Sequence, residues 1–302
     1  MSKINIVSLG GCLPLDILKC DTMFYEKYNI AGNYLGSISR TTIGPGKIAN
    51  RLEEDMYGKD IPIRERRQIN LVTKNFTPAS ILERQFSSDT VILVDVSYEI
   101  ANFYFDGDEI FDLKKFDRNV MPAWFGETVD RGIHSYDNGS KELAMFQYHA
   151  LNEVSNKLVA KNIPVIFFDN FFSKHLYNIE TNSVATIISL VAGKSPFKRG
   201  FKKATGRNVV TYADELELFD YSTRVIDKFY AHFKQSIPKD FKMFSANSNS
   251  LFSDPTHHYG YHPAHLHRTC REMLLEPLTN VIHQAIAEHN VRQLRSNLVA
   301  SL

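Results

Sequence analysis

Residues 4–16 read INIVSLGGCLPLD. A run rich in Ile, Val and Leu ends in two glycines and a cysteine, and a Leu-Pro-Leu segment follows. Ile4–Leu9 reads as a strand buried on both faces, the pattern of a parallel sheet. Three readings of Gly10, Gly11 and Cys12 compete. They form a lipoprotein cleavage site with an acylated Cys12, an ordinary glycine turn with a buried thiol, or a turn that carries a nucleophile at the tip of a strand. The segment before Cys12 is shorter than the roughly 7–15 apolar residues of a secretory signal, which argues against the first.

Working outward, four further segments carry strand character: Tyr28–Tyr34, Thr90–Val96, Ile163–Asp169 and Phe241–Ala246. TVILVDV and IPVIFFD suit strands covered on both faces. Helical segments alternate with them at Pro14–Phe24, Thr77–Arg84, Ser140–Lys161 and Tyr221–Gln235. Strand, helix, strand, repeated, predicts an α/β fold: a three-layer, doubly wound parallel sheet of about five strands. Ligands bind beyond the carboxyl ends of such strands. Segments of about 104–139 and 173–212 interrupt the rhythm and are expected to be inserted lids. Residues 263–296 are expected to form C-terminal helices broken at Pro277. The chain reads as a single domain of 302 residues.

A net charge of +1 argues for neither nucleic acid nor a membrane surface. The 21 Phe and 14 Tyr can fill a core and also line a sugar- or acyl-binding cleft. Cysteines at 12, 20 and 270 are odd in number and widely spaced, unlike a disulfide framework. A reducing compartment, the cytoplasm, is the expectation. No apolar run reaches the roughly 20 residues of a membrane span.

Cys12 is expected just past the first strand, at the opening of a helix. Backbone N–H groups there favour anions and lower a thiol pKa. The bland alternative is a small buried hydrophobe. Far downstream, residues 253–263 read SDPTHHYGYHP, with Asp254 and His257 spaced as D-x-x-H. A histidine there can take a thiol proton, and a carboxylate three residues earlier can hold its tautomer. A helix-capping aspartate explains Asp254 equally well.

Together the two blocks resemble the SGNH (GDSL-type) hydrolase and acyltransferase superfamily. Its first block, G-D-S-L, corresponds to Gly10-Gly11-Cys12-Leu13, and its last to Asp254 through His257. With Asp16 and the string DPTHHYGYHPAH, the chain looks closest to an SGNH-like branch from bacterial capsule and exopolysaccharide gene clusters. The resemblance implies a flavodoxin-like fold and a Cys12–His257–Asp254 triad. It also implies an oxyanion hole drawn from Cys12, Gly36 and Ser97. The family's third-block asparagine is missing: after TVILV come Asp95, Val96 and Ser97. A cysteine in place of serine favours acyl transfer from acyl-coenzyme A to a sugar or polysaccharide. An esterase acting on an acylated carbohydrate and a non-catalytic module of a polysaccharide assembly complex are the alternatives.

Binding residues are sought near the rim of the sheet: Gly11, Arg40, Asp95 and Asn170, with His258 and His262 touching substrate or capping a helix near Pro263. Residues 193–207 hold six basic residues and no acid. Of these, Lys198, Arg199, Lys202 and Lys203 could bind coenzyme A phosphates or an anionic glycan. A solvated loop is the plainer reading. AGKS within it is no phosphate loop, because Ile188 stands where the motif needs glycine. His257, His258, His262, His265 and His267 cluster in sequence, but Tyr, Gly and Pro break the spacing. No metal is expected.

Overall fold

The computed structural model describes residues 3–38, 47–56, 83–100, 103–106, 109–112, 124, 127, 133–134, 141–169, 171, 173, 175–178, 183–186, 234–239, 241–254 and 264–300. In chain order the strands are β1 (Ile4–Gly10), β2 (Tyr28–Leu35), β3 (Thr90–Asp95), β4 (Phe103–Asp106), β5 (Glu109–Asp112), β6 (Ile133–His134), β7 (Val165–Asp169), β8 (His175–Asn178), β9 (Ser183–Thr186), β10 (Lys242–Ser245) and β11 (Phe252–Ser253). The helices are α1 (Leu13–Leu18), α2 (Phe24–Lys27), α3 (Lys47–Met56), α4 (Lys141–Ala160) and α5 (Arg268–Ala300).

Five strands form one parallel sheet in the order β2-β1-β3-β7-β10. Numbered within the sheet this is 2-1-3-4-5, the flavodoxin-like doubly wound order. Side-chain alternation builds the three layers. Val7, Leu9, Ile92, Val94 and Phe167 face one apolar cluster with Leu151, Val154 and Leu158 of α4. Ile6, Val91, Leu93, Ile166, Phe168 and Phe244 face the other, with Leu13 and Ile17 of α1 and Leu278 and Ile282 of α5. Each fully buried Leu or Ile contributes about 1.5–3 kcal/mol.

The sequence reading needs four corrections. The helix expected over Pro14–Phe24 is two helices. The Asp21 carboxylate accepts from the Met23 amide at 2.8 Å and from Lys27 Nζ at 2.6 Å, so a local turn interrupts the helix. The C-terminal helix begins at Arg268 and runs unbroken through Pro277. Leu274, Leu278, Ile282 and Ala285 recur at helical spacing in the core, and their burial outweighs the amide that proline removes. Helix α3 has no counterpart among the helical segments read from the sequence. Nor do the two small sheets, β5-β4-β6 and β11-β8-β9, which draw strands from the inserted segments. Most of Thr77–Arg84 and of Tyr221–Gln235 lies outside the described residues. Among the described residues, no helix is long and apolar enough to cross a membrane.

Candidate active site

In a 2-1-3-4-5 sheet the chain switches direction between its first and third strands, and a crevice opens there. Gly10 ends β1 opposite Asp95, which ends β3. The Gly11 amide donates to the Asp95 carbonyl at 2.9 Å. Gly10 has φ +92°, and a Cβ on it would lie 1.8 Å from the Asp95 carbonyl oxygen. A Cβ on Gly11 would lie 1.9 Å from Asp95 Oδ2 and 2.3 Å from Ser97 Oγ. The two glycines are there because the end of β3 fills the space any side chain would need. Cys12 follows as the N-cap residue of α1 and is 8% exposed.

The thiol is not activated in this resting arrangement. Burial raises the Cys12 pKa well above the usual thiol range, and the Asp16 and Asp95 carboxylates raise it further. The helix-terminus effect expected from sequence is outweighed by desolvation and two nearby negative charges. Asp95 itself is 2% exposed, and burial pushes its carboxyl up to about 6. The Ser97 amide donates to Asp95 Oδ1 at 2.9 Å and opposes that rise. The Ser97 hydroxyl and Leu13 amide also favour the charged form. Neither closes a hydrogen bond of good geometry on Oδ2, which is buried and unpartnered among the described residues.

The oxyanion hole drawn from sequence needs correction. Gly36 has φ +146°, and its amide donates to the Gly10 carbonyl at 2.9 Å. It is consumed in continuing the β1–β2 ladder. Gly11, Cys12, Gly36, Asp95 and Ser97 are thus brought together at the switch point, but the Gly36 amide faces a neighbour and not an open site.

Sequence reasoning missed a second buried carboxylate. Glu99, in the 3-10 turn Ser97–Ile100, is 1% exposed. It accepts from the Ser37 hydroxyl at 2.9 Å, from the Ile38 amide, and from Gln147 Nε2 of α4 at 3.0 Å. Gln147 Nε2 also donates to the Glu99 carbonyl at 2.9 Å. Glu99 therefore ties the loop after β2 and the turn after β3 to α4. Its only cue in the sequence was a charged residue four positions past the end of an apolar strand.

Asp254 follows β11, which pairs with β8 outside the main sheet. Its amide donates to the His265 carbonyl at 2.8 Å, and the His267 amide donates to the Phe252 carbonyl at 2.9 Å. Ser253 and Leu266 bridge between them. These contacts join the chain at Asp254 to the chain at His265. Leu251, Phe252 and Leu266 pack in the same apolar cluster as Leu13 and Leu15 of α1, so this junction sits beside the Cys12 helix. His257, His258 and His262 lie outside the described residues, as do Arg40, Asn170, Lys198, Arg199, Lys202 and Lys203.

His267 has a structural task. Its Nδ1 accepts from the Thr269 amide at 3.3 Å at the start of α5, and its ring stacks on Phe252. Burial lowers its pKa, and Asp254 partly restores it. His265 is buried. At the end of β7, Asp169 pairs with Lys234 at 2.8 Å. Among the described residues, no group of three or more His, Cys, Asp or Glu is placed to hold a metal ion.

No protein-family model, curated protein or solved structure matches the chain.

Proposed function

We propose that the chain is an acyltransferase, most simply an O-acetyltransferase, acting on a sugar or bacterial surface polysaccharide through Cys12, His257 and Asp254. The observation that carries the reading is the position of Cys12. It stands at the N-cap of α1, at the switch point of a 2-1-3-4-5 sheet, on a turn that admits only glycine at 10 and 11.

A thiol held protonated at rest needs a base at the moment of attack. His257, three residues after Asp254 in the chain, is that base in this reading, and Asp254 orients it. As His257 takes the thiol proton, Cys12 Sγ bonds to the carbonyl carbon of an acyl-coenzyme A. The bond from that carbon to the coenzyme A sulfur breaks, and the departing thiolate takes the proton from His257. A sugar hydroxyl then attacks the Cys12 thioester, giving its proton to His257. The acyl group moves to the sugar oxygen, and the proton returns to Cys12. A thiol at a helix N-terminus suits a thioester carbonyl. The basic segment with Lys198, Arg199, Lys202 and Lys203 is assigned the coenzyme A phosphates. A coenzyme A donor sets the reaction in the cytoplasm.

A second reading rests on the raised Cys12 pKa and the spent Gly36 amide. In it the chain is a non-catalytic module of a polysaccharide assembly complex. Intact-mass spectrometry after mixing with acetyl-coenzyme A, with peptide mapping, separates the two. The acyltransferase gains one acetyl group on Cys12, and Cys12→Ala and His257→Ala variants do not. No adduct and no coenzyme A binding favours the module. Turnover of an acylated sugar without any thioester donor converts the assignment to an esterase.

A further inference from the structure

A cavity opens at the end of the sheet opposite Cys12. Cys12 follows the carboxyl end of β1, whereas Pro164, Val165, Phe241 and Lys242, at the starts of β7 and β10, line the cavity. The five strands are parallel, so these are opposite edges of one sheet. The volume is about 90 Å³, room for several waters and so for one tetrahedral oxyanion. We infer that this cavity is a binding site for a phosphate group, free or carried on a small molecule, held by Arg292 and His289 of α5 and Lys242 of β10. The inference is independent of the acyl-transfer reading and uses none of its residues.

Three observations carry it. The first is the sign of the lining. Lys242, His289 and Arg292 line the cavity together, and among the described residues no acid does. Glu288, one residue before His289, is already engaged: it accepts from Lys242 Nζ at 2.7 Å and from Gln284 Nε2 at 2.9 Å. Lys242 thus shares its charge, while Arg292 closes no hydrogen bond or ion pair among the described residues.

The second is the state of His289. It is 5% exposed, yet its one hydrogen bond among the described residues is a long one, 3.5 Å from Gln293 Nε2 to its Nε2. With the Gln293 amide donating, Nε2 accepts and the ring proton sits on Nδ1. Nδ1 has no partner among the described residues, although buried polar groups are ordinarily paired.

The third is charge crowding. Burial lowers the His289 pKa, and the Arg292 charge lowers it further. Two groups that would both be cationic face one cavity with no anion between them. A doubly charged oxyanion offsets that repulsion and gives each donor an acceptor. The guanidinium suits two phosphate oxygens side by side, and the ammonium adds a point charge from the other wall. Ile163, Phe241 and Ala285 supply apolar lining, which limits competing water and strengthens the attraction.

The test is equilibrium dialysis of radiolabelled inorganic phosphate against the full chain at pH 7 and fixed ionic strength. The wild type is expected to bind one phosphate per chain, saturably. Arg292→Ala and His289→Ala are each expected to weaken binding at least about tenfold, the loss of one hydrogen bond to a charged group. Arg292 is exposed, so its variant keeps the test valid if His289→Ala fails to fold. His289→Asn restores a side-chain N–H close to the place of Nδ1 and should bind better than His289→Ala. Lys239→Ala, which removes an exposed cation outside the cavity, should bind as the wild type does. Displacement of the phosphate by a hexose phosphate but not by the hexose assigns the site to the phosphate end of a metabolite. Failure of the hexose phosphate to displace it assigns free phosphate. Equal displacement by acetate overturns the phosphate assignment. The absence of saturable binding, or equal binding by wild type and Arg292→Ala, overturns the site and leaves the Cys12 assignment untouched.

Discussion

Gly11 and Asp95 meet so closely that a methyl group on Gly11 would lie 1.9 Å from the Asp95 carboxyl oxygen. The carboxyl cannot retreat, because Ser97 holds it from behind. Gly11→Ala is expected to lower stability by about 1–3 kcal/mol, the usual cost of overpacking. Gly10→Ala should cost more, since it combines a positive φ with a collision against backbone. Urea denaturation measures both, and an unchanged midpoint for Gly10→Ala would contradict the packing described.

Glu99→Ala removes the shared acceptor for Ser37, Ile38 and Gln147. Gln147 keeps the Glu99 carbonyl, but each buried donor left unpaired costs about 1–3 kcal/mol, so the Ser37 hydroxyl and Ile38 amide together set an expected loss of at least about 2 kcal/mol. Glu99→Gln keeps the shape and should lose less. Thermal melts of the two variants check the order.

Asp95 sets a pH dependence of stability with a definite sign. Burial raises its pKa from 3.8 to about 6. Between those values the folded state holds a proton that the unfolded state has released. Stability therefore falls as pH rises through that window, by about 3 kcal/mol from this group. Asp95→Asn lacks the fall. Its stability relative to wild type should be greater at pH 7.5 than at pH 4, measured by urea denaturation at both. An equal difference at the two pH values would sink the assignment.

The three cysteines should alkylate in a fixed order in the folded protein. Cys20 is partly exposed and should react first. Cys270 is fully buried, and its sulfur accepts from the Phe252 amide at 3.4 Å. It should react last, after Cys12. Timed alkylation at pH 8 with peptide mapping reads the order directly.

Pro277 interrupts no more than one hydrogen bond within α5, so Pro277→Ala should stabilise the protein, by about 1–3 kcal/mol. A melt that moves downward would show that the proline is required for the path of the helix.

Several parts of the fold are legible in the amino-acid pattern alone. The five strand segments read from the sequence match β1, β2, β3, β7 and β10 to within two residues at either end, and β1, β3 and β7 are the runs rich in Val, Ile and Phe. Hydrophobic pattern is local, and a strand buried on both faces displays it in its own residues. The end of the Pro14–Phe24 helix is harder to read. It depends on one Asp21 side chain choosing the Met23 amide over solvent.

By itself the sequence determined the parallel α/β architecture, the Gly-Gly turn and the placement of Cys12 at the end of β1, because each follows from residues adjacent in the chain. Only the tertiary structure decided the chemical state of that corner. Asp95 lies far from Cys12 in sequence, and Glu99 reaches Ser37 across 62 residues. Burial, orphaned oxygens and spent amides arise when distant segments pack together. They turned an expected thiolate into a guarded thiol, because desolvation and neighbouring charge are properties of the folded chain and not of its local pattern.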